Sequence, residues 1–205
     1  MMISSQPHRT NSLQPLVIDA SVAINLLGTG RPADLLRILG HRVIIEETTY
    51  KEVDRNPFNG NSGHDSLDDL VSKGLLHLER LSNEGYELFL ELTGANPPND
   101  LGDGEAATIA HAIITGGIPL LDEKKGSRIA RERGLAVIST LDLFRSQQIL
   151  GTMRKEDLAD TIYAALINAR MRVPPDHRRW IVDLIGVERA ASCSCLGSFF
   201  SSIDT

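Results

Sequence analysis

At 205 residues the chain is long enough to bury one well-developed core with an appendage. Hydrophobic residues make up 41% and charged residues 23% of it, as in ordinary globular proteins, and no apolar run approaches the roughly 18 residues of a membrane span. A net charge of −6 excludes a protein that coats nucleic acid by bulk attraction, although not an enzyme that acts on it locally. Two cysteines, Cys193 and Cys195, are too close for an ordinary structural staple. The polar start MMISSQPHRTNS lacks a secretory hydrophobic region, so a cytoplasmic location without membrane attachment is expected.

Residues 1–14 read as a flexible leader. The stretch PLVIDASVAINLL, 15–27, holds a short buried strand that breaks into a helix at Asp19, with Gly28 and Gly30 as the stop. Pro32 opens a helix with a Leu35, Leu36 and Leu39 stripe, and Gly40 ends it. RVIIE at 42–46 is a second strand and leads into a helix through ETTYKEVDR, which carries Glu46, Glu47 and Glu52. A glycine- and asparagine-rich loop at 58–66, a short helix at 65–73 and a third strand at 75–81 follow. Residues 82–93 form an amphipathic helix, and GANPPNDLGDGE breaks the chain before a long apolar helix through Ala106, Ile109, Ala110 and Ile113.

The strand PLLD at 119–122 ends in Asp122, as the first ends in Asp19. An amphipathic helix running to Gly134 precedes a last strand, AVIST, at 136–140. Further helices are expected near 141–150, from about Asp157 to Arg172, and within RVPPDHRRWIVDLIG. ASCSCLGSFFSSIDT is small, polar and aperiodic, so 190–205 reads as a disordered tail. Strand alternating with helix, without a hairpin turn, predicts an α/β fold with a central, mostly parallel sheet and helices on both faces.

Several carboxylates fall at element ends. Asp19 and Asp122 end strands that share a direction, which places both at one sheet edge if the strands are neighbours. Glu52 lies on the helix after the second strand, and Asp103 and Glu105 begin the long helix. Asp142 follows the last strand. Each position also has a capping explanation, since acids stabilise helix starts. Together they form an oxygen-rich set of the kind that holds Mg²⁺ or Mn²⁺ with substrate phosphate oxygens. Rival chemistries are absent: the six histidines form no HExxH spacing, and no glycine-rich phosphate loop or nucleophile elbow occurs. Lys124, Lys125 and Arg128 follow Asp122 closely and offer a phosphate track, with a solvated helix face as the simpler reading. Aromatic residues are only 4%, too few for a base-stacking platform.

In VIDAS at 17–21, LGDGEAATIAHA at 101–112 and LLDEKKGSRIARERGLAVIST at 120–140, the chain resembles the PIN-domain nucleases, especially the prokaryotic branch of VapC-type toxins. The resemblance covers about 15–150, leaving 151–189 as a C-terminal helical extension. It implies a three-layer α/β/α sandwich with Asp19, Glu52, Glu105 and Asp122 as catalytic residues. Asp19, Glu105 and Asp122 would hold the metal, with Ser21, Asp103, Thr140 and Asp142 in support. The implied activity is Mg²⁺- or Mn²⁺-dependent hydrolysis of RNA, often by a toxin paired with a small antitoxin. The extra length, the loop at 55–66 and the tail depart from the typical small toxin. A non-catalytic binding protein of this fold, and a nuclease for DNA or small phosphoesters, stay open as alternatives. Apolar stripes on the helices at 31–39 and 82–93 suggest a homodimer.

Overall fold

The computed structural model describes residues 13–55 and 65–196. Most of the leader, most of the 58–66 loop and residues 197–205 of the expected tail lie outside the described residues. In chain order the elements are β1 (Leu16–Ile18), α1 (Ala20–Gly28), α2 (Pro32–Leu39), β2 (Val43–Glu46), α3 (Glu47–Asp54), α4 (Leu67–Ser72), β3 (His77–Glu79), α5 (Asn83–Thr93), α6 (Asp103–Thr115) and β4 (Ile118–Leu120). Then come α7 (Lys124–Glu132), α8 (Thr140–Phe144), α9 (Gln147–Thr152), α10 (Lys155–Asn168), α11 (Pro175–Ile185), α12 (Val187–Ala191) and a single 3₁₀ turn, Ser194–Leu196.

The four strands pair in the order β3-β2-β1-β4, all parallel. Strand order reverses beside β1, because β2 and β3 lie to one side and β4 to the other. Crevices at the carboxyl ends of strands flanking such a reversal are where open α/β sheets bind their ligands. Here β1 and β4 are in register with Ile18 opposite Leu120, so the residues that follow, Asp19 and Asp122, emerge together.

Alternation along the strands builds the layers. Leu16, Ile18, Val43 and Ile45 belong to the core shared with α1, α2, α10 and α11, whereas Val17 and Ile44 face Ala112 of α6. A second apolar cluster, including Leu92, Ile109 and Ile129, joins α5, α6 and α7 on that other face. This is the three-layer α/β/α arrangement the sequence predicts. β1 and β2 are buried along their whole length, which is why they read as unbroken apolar runs.

Three elements differ from expectation. The strand at 136–140 is reduced to one parallel bridge between Ile138 and Leu120. Leu135 N–H turns back to the Ala130 carbonyl, and Ser139 already caps α8 with a reciprocal bond to Asp142, so Ile138 alone is left to pair. The helix expected to reach Arg172 ends at Asn168, ahead of Pro174 and Pro175. Prolines disfavour helix in the residue before them, and Arg170 adopts a left-handed φ of 52°. The tail assignment fails for its first seven residues: Ala190, Cys193 and Leu196 are fully buried in the core beside α10 and α11. Few large side chains suffice there, because the small ones let the chain pack closely.

Candidate active site at the sheet edge

Asp19 leaves β1 and caps α1, accepting from Ser21 Oγ at 2.9 Å and Ser21 N–H at 3.4 Å. Only 5% of it is exposed. Burial pushes its pKa up, the bonds from Ser21 and Ala20 oppose this, and the nearby charge of Asp122 adds to the rise. Asp122 is held from three directions. Thr140 donates its N–H at 2.8 Å and its hydroxyl at 2.6 Å, and Asn25 donates from Nδ2 at 2.8 Å. Thr140 is buried, and its placement at the start of α8 comes directly from the Ser139 cap.

Glu105 stands in the first turn of α6. Its Oε1 is buried without a hydrogen-bond partner. Burial raises its pKa and the charge of Asp19 raises it further, while Lys125 pulls it down. Glu52 projects from α3, exposed to solvent, but its carboxylate end reaches in above Gly104. Partial burial, then the charges of Asp19 and Asp103, push its pKa up as well. Thr49, buried one turn earlier, donates to the Gly104 carbonyl at 3.2 Å and so fastens α3 to the head of α6.

Two glycines make this crowding feasible. A Cβ on Gly104 would collide with Glu52 Oε2, and one on Gly126, in α7, would collide with Glu105 Oε1. Both carboxylates therefore lie against bare backbone, where any side chain would displace them.

The structure also separates the expected residues. Asp142 accepts Ser139 N–H at 2.9 Å and Ser139 Oγ at 2.7 Å on Oδ2, closing the capping box at the start of α8. Asp103 is the first residue of α6, with Gly102 in the cap position, and contributes charge beside Glu52. Glu46, at the end of β2, caps α3 through Thr48 N–H at 2.6 Å. Lys124 lines the groove beside Asp122. Lys125 sits 3.7 Å from Asp100, and Arg128 bonds Glu132 and Asn99 on the exposed face of α7, each at 2.8 Å.

Sequence reasoning missed Asn25, Gly104 and Gly126. Asn25 carried a signal, as a buried amide in the apolar run VAINLL, one helical turn beyond Ser21 on the same face. The glycines carried none, because helix-start glycines have many causes.

Among the described residues, no three His, Cys, Asp or Glu side chains gather closely enough to hold an ion unaided. The expected ion shared by Asp19, Glu105 and Asp122 is therefore not a ready-made three-residue cage. Mg²⁺ rarely uses such a cage: one or two carboxylates, several waters and substrate phosphates suffice. The donor set fits that mode, with an unpartnered buried oxygen on Glu105 and acids whose mutual repulsion a cation would relieve.

A family model described as a PIN domain matches residues 15–186. The chain belongs to the PIN-domain family. The match runs past residue 150, so it takes in α9, α10 and α11. No curated protein matches the sequence. PIN domains are nuclease folds that use divalent metal ions, and the acids of this one lie at the crevice where strand order reverses. Among the described residues, no helix is long and apolar enough to cross a membrane.

Proposed function

We propose that the protein is a Mg²⁺- or Mn²⁺-dependent endoribonuclease. The observation that carries this reading is Glu105 Oε1, a buried acceptor without a donor, beside Asp19 and within a group of carboxylates pushed toward their protonated forms. Of Asp19, Glu105 and Asp122, one or two carboxylates would hold the ion directly, with waters and a substrate phosphate oxygen completing its shell. Such an ion supplies an activated water and neutralises charge on the phosphoryl oxygens.

The chain's own residues set the stage for that chemistry. Thr140 and Asn25 fix the Asp122 carboxylate, and Ser21 fixes Asp19, so neither must reorganise when substrate arrives. Glu52, raised in pKa and open to solvent on one side, can take up a proton at Oε2 from an attacking water. Incubating mixed cellular RNA, and the same sequences as DNA, with Mn²⁺, Mg²⁺ or EDTA tests the reading. RNA is cleaved with metal and spared in EDTA and by Asp19→Asn protein. Cleavage that persists in EDTA would sink it.

The likeness of VIDAS and LGDGEA to VapC-type toxins extends the proposal to a cytoplasmic toxin restrained by a small antitoxin. Induced expression should then arrest growth, and Asp19→Asn should not. Self-association is the remaining part. The α2 stripe is consumed internally, with Leu35, Leu36 and Leu39 all buried, but α5 exposes 53% of Tyr86 and 50% of Leu90. Light scattering at micromolar concentration should report about twice the 22.4 kDa chain mass, and Leu90→Glu should return the monomer.

A further inference from the structure

A groove of about 640 Å³ opens directly from the acidic edge. That is the size of sites that enclose most of a small ligand. It is lined by Asp122, Asn25 and Thr140 and by a strap between α10 and α11, residues 169–174, that returns beside the sheet edge. The strap alternates. Met171 and Val173 are buried at 2% exposure each, while Arg170 and Arg172 between them are exposed and line the groove. Arg178, from the first turns of α11, and Lys124, from α7, complete a basic margin on an otherwise acidic protein.

The strap is fixed to the catalytic unit. Asn168 Nδ2 donates to the Gly28 carbonyl at 2.9 Å, and Ala169 packs so tightly on Gly28 that a Cβ there could not be accommodated. Arg170 holds a left-handed backbone, which a non-glycine residue keeps only where the surroundings enforce it. Enforcing it here keeps the alternation, with both arginines on the solvent side. Arg172 has only a marginal pairing, 4.0 Å from Glu123 with 75% of its side chain exposed. Guanidinium groups on a rigid strap match phosphate oxygens in a planar, bidentate manner, and the half-buried Ile24 adds apolar surface to the groove.

We infer that this groove is a subsite for single-stranded RNA, in which Arg170 and Arg172 grip backbone phosphates next to the one held at the carboxylates. The inference rests on the ribonuclease reading and replaces Arg128 with the strap as the strand-binding element. Arg170 and Arg172 act as binding residues and take no part in bond breaking.

The test uses Asp19→Asn protein, which leaves the strand intact, and a short fluorescein-labelled single-stranded RNA followed by anisotropy. Adding Arg170→Gln and Arg172→Gln should weaken binding roughly tenfold or more. It should also lower the slope of log K against log salt by about 1.4, at about 0.7 per phosphate contact. Arg128→Gln, in α7, should change neither. Cys195 lines the same groove and gives a readout independent of charge: RNA should slow its alkylation by maleimide, and should not after the double substitution. In the otherwise wild-type protein, Mn²⁺-dependent hydrolysis of bis(p-nitrophenyl) phosphate reports on the carboxylates without a bound strand, and the double variant should lose more RNA cleavage than diester hydrolysis. Unchanged RNA affinity and salt slope in the double variant overturn the subsite, even with RNA cleavage intact. Diester hydrolysis by a wild-type protein that neither binds nor cleaves RNA overturns the ribonuclease reading and the subsite with it.

Discussion

Asp19 is both the N-cap of α1 and a buried charge beside Asp122, and the two roles respond differently to substitution. Asn caps a helix about as well as Asp, so Asp19→Asn keeps the bond from Ser21 N–H while removing a charge that burial opposes. The variant should melt no lower than wild type, and above it at neutral pH, while RNA cleavage falls by more than the roughly 10–100-fold that losing even an outer partner of a metal ligand costs. Calorimetry and an RNA assay on one preparation check both halves; a drop in melting temperature would make Asp19 a structural cap alone. Gly126 separates position from stability in another way. In the first turn of α7, where Gly126 sits, alanine gains over glycine at most the roughly 0.5–1 kcal/mol it gains in a helix interior. Its methyl would nevertheless meet Glu105 Oε1, the far end of a side chain that can swing away. Gly126→Ala should thus hold or raise stability and reduce cleavage, with weaker Mn²⁺ binding by titration. Equal loss of stability and activity would assign the glycine to packing.

Among the elements, those with a strong period or a sharp stop were legible in the sequence. α2 begins at Pro32 and ends at Gly40, whose φ of 64° belongs to the left-handed cap that glycine favours. β1 and β2 were readable as short apolar runs, and Asp19 and Asp122 as strand-end acids. The fifth strand was not, because VIST has strand-like residues whose backbone groups are taken by the turn before and the cap after. Nor was the strap, since MRVPP continues the composition of α10 up to the prolines. For the candidate site, side-chain types singled out Asp19, Glu52, Glu105 and Asp122, acids that the fold brings close enough to feel one another's charge. The clearance around them depends on glycines three-dimensionally opposite, which one sequence does not align. The segment at 190–196 misled through its small residues. Leu196 and Cys193 are buried at 0% and 1% exposure, so the segment is part of the core. Leu196→Ala should cost about 2–5 kcal/mol. At about 2–4 °C per kcal/mol for a chain of this size, the melting temperature should fall by roughly 4–20 °C. Thermal unfolding followed by circular dichroism checks this, and an unchanged midpoint would return the segment to the tail.

At the scale of the whole molecule, the acidic edge costs folding free energy that a cation can return. Asp19, Glu52 and Glu105 all have pKa values raised in the folded state, by burial first and by one another's or Asp122's charge after it. A carboxyl raised on folding contributes stability that is fully present below its unfolded pKa, near 4, and is lost as pH rises through its folded value. Ion-paired surface acids such as Glu47, lowered by Arg80 and Lys51, and Asp157, lowered by Arg154, work in the opposite direction and support the fold above the unfolded value. The acid limb of wild-type unfolding therefore mixes both trends, and a difference measurement separates them. The triple variant Asp19→Asn, Glu52→Gln, Glu105→Gln leaves Glu47 and Asp157 untouched. Its stability minus that of wild type, from urea unfolding in EDTA, should be smallest near pH 3 and grow as pH rises toward 7. With Mn²⁺ in place of EDTA the gap should narrow at pH 7, because an ion bound only by the folded wild type returns RT ln(1 + [L]/Kd), about 2.7 kcal/mol at a hundred times Kd. The variant should show no such response. A gap that is constant across pH would mean the three acids are already screened from one another. A gap that varies with pH but ignores Mn²⁺ would leave the repulsion real and remove the metal from the site.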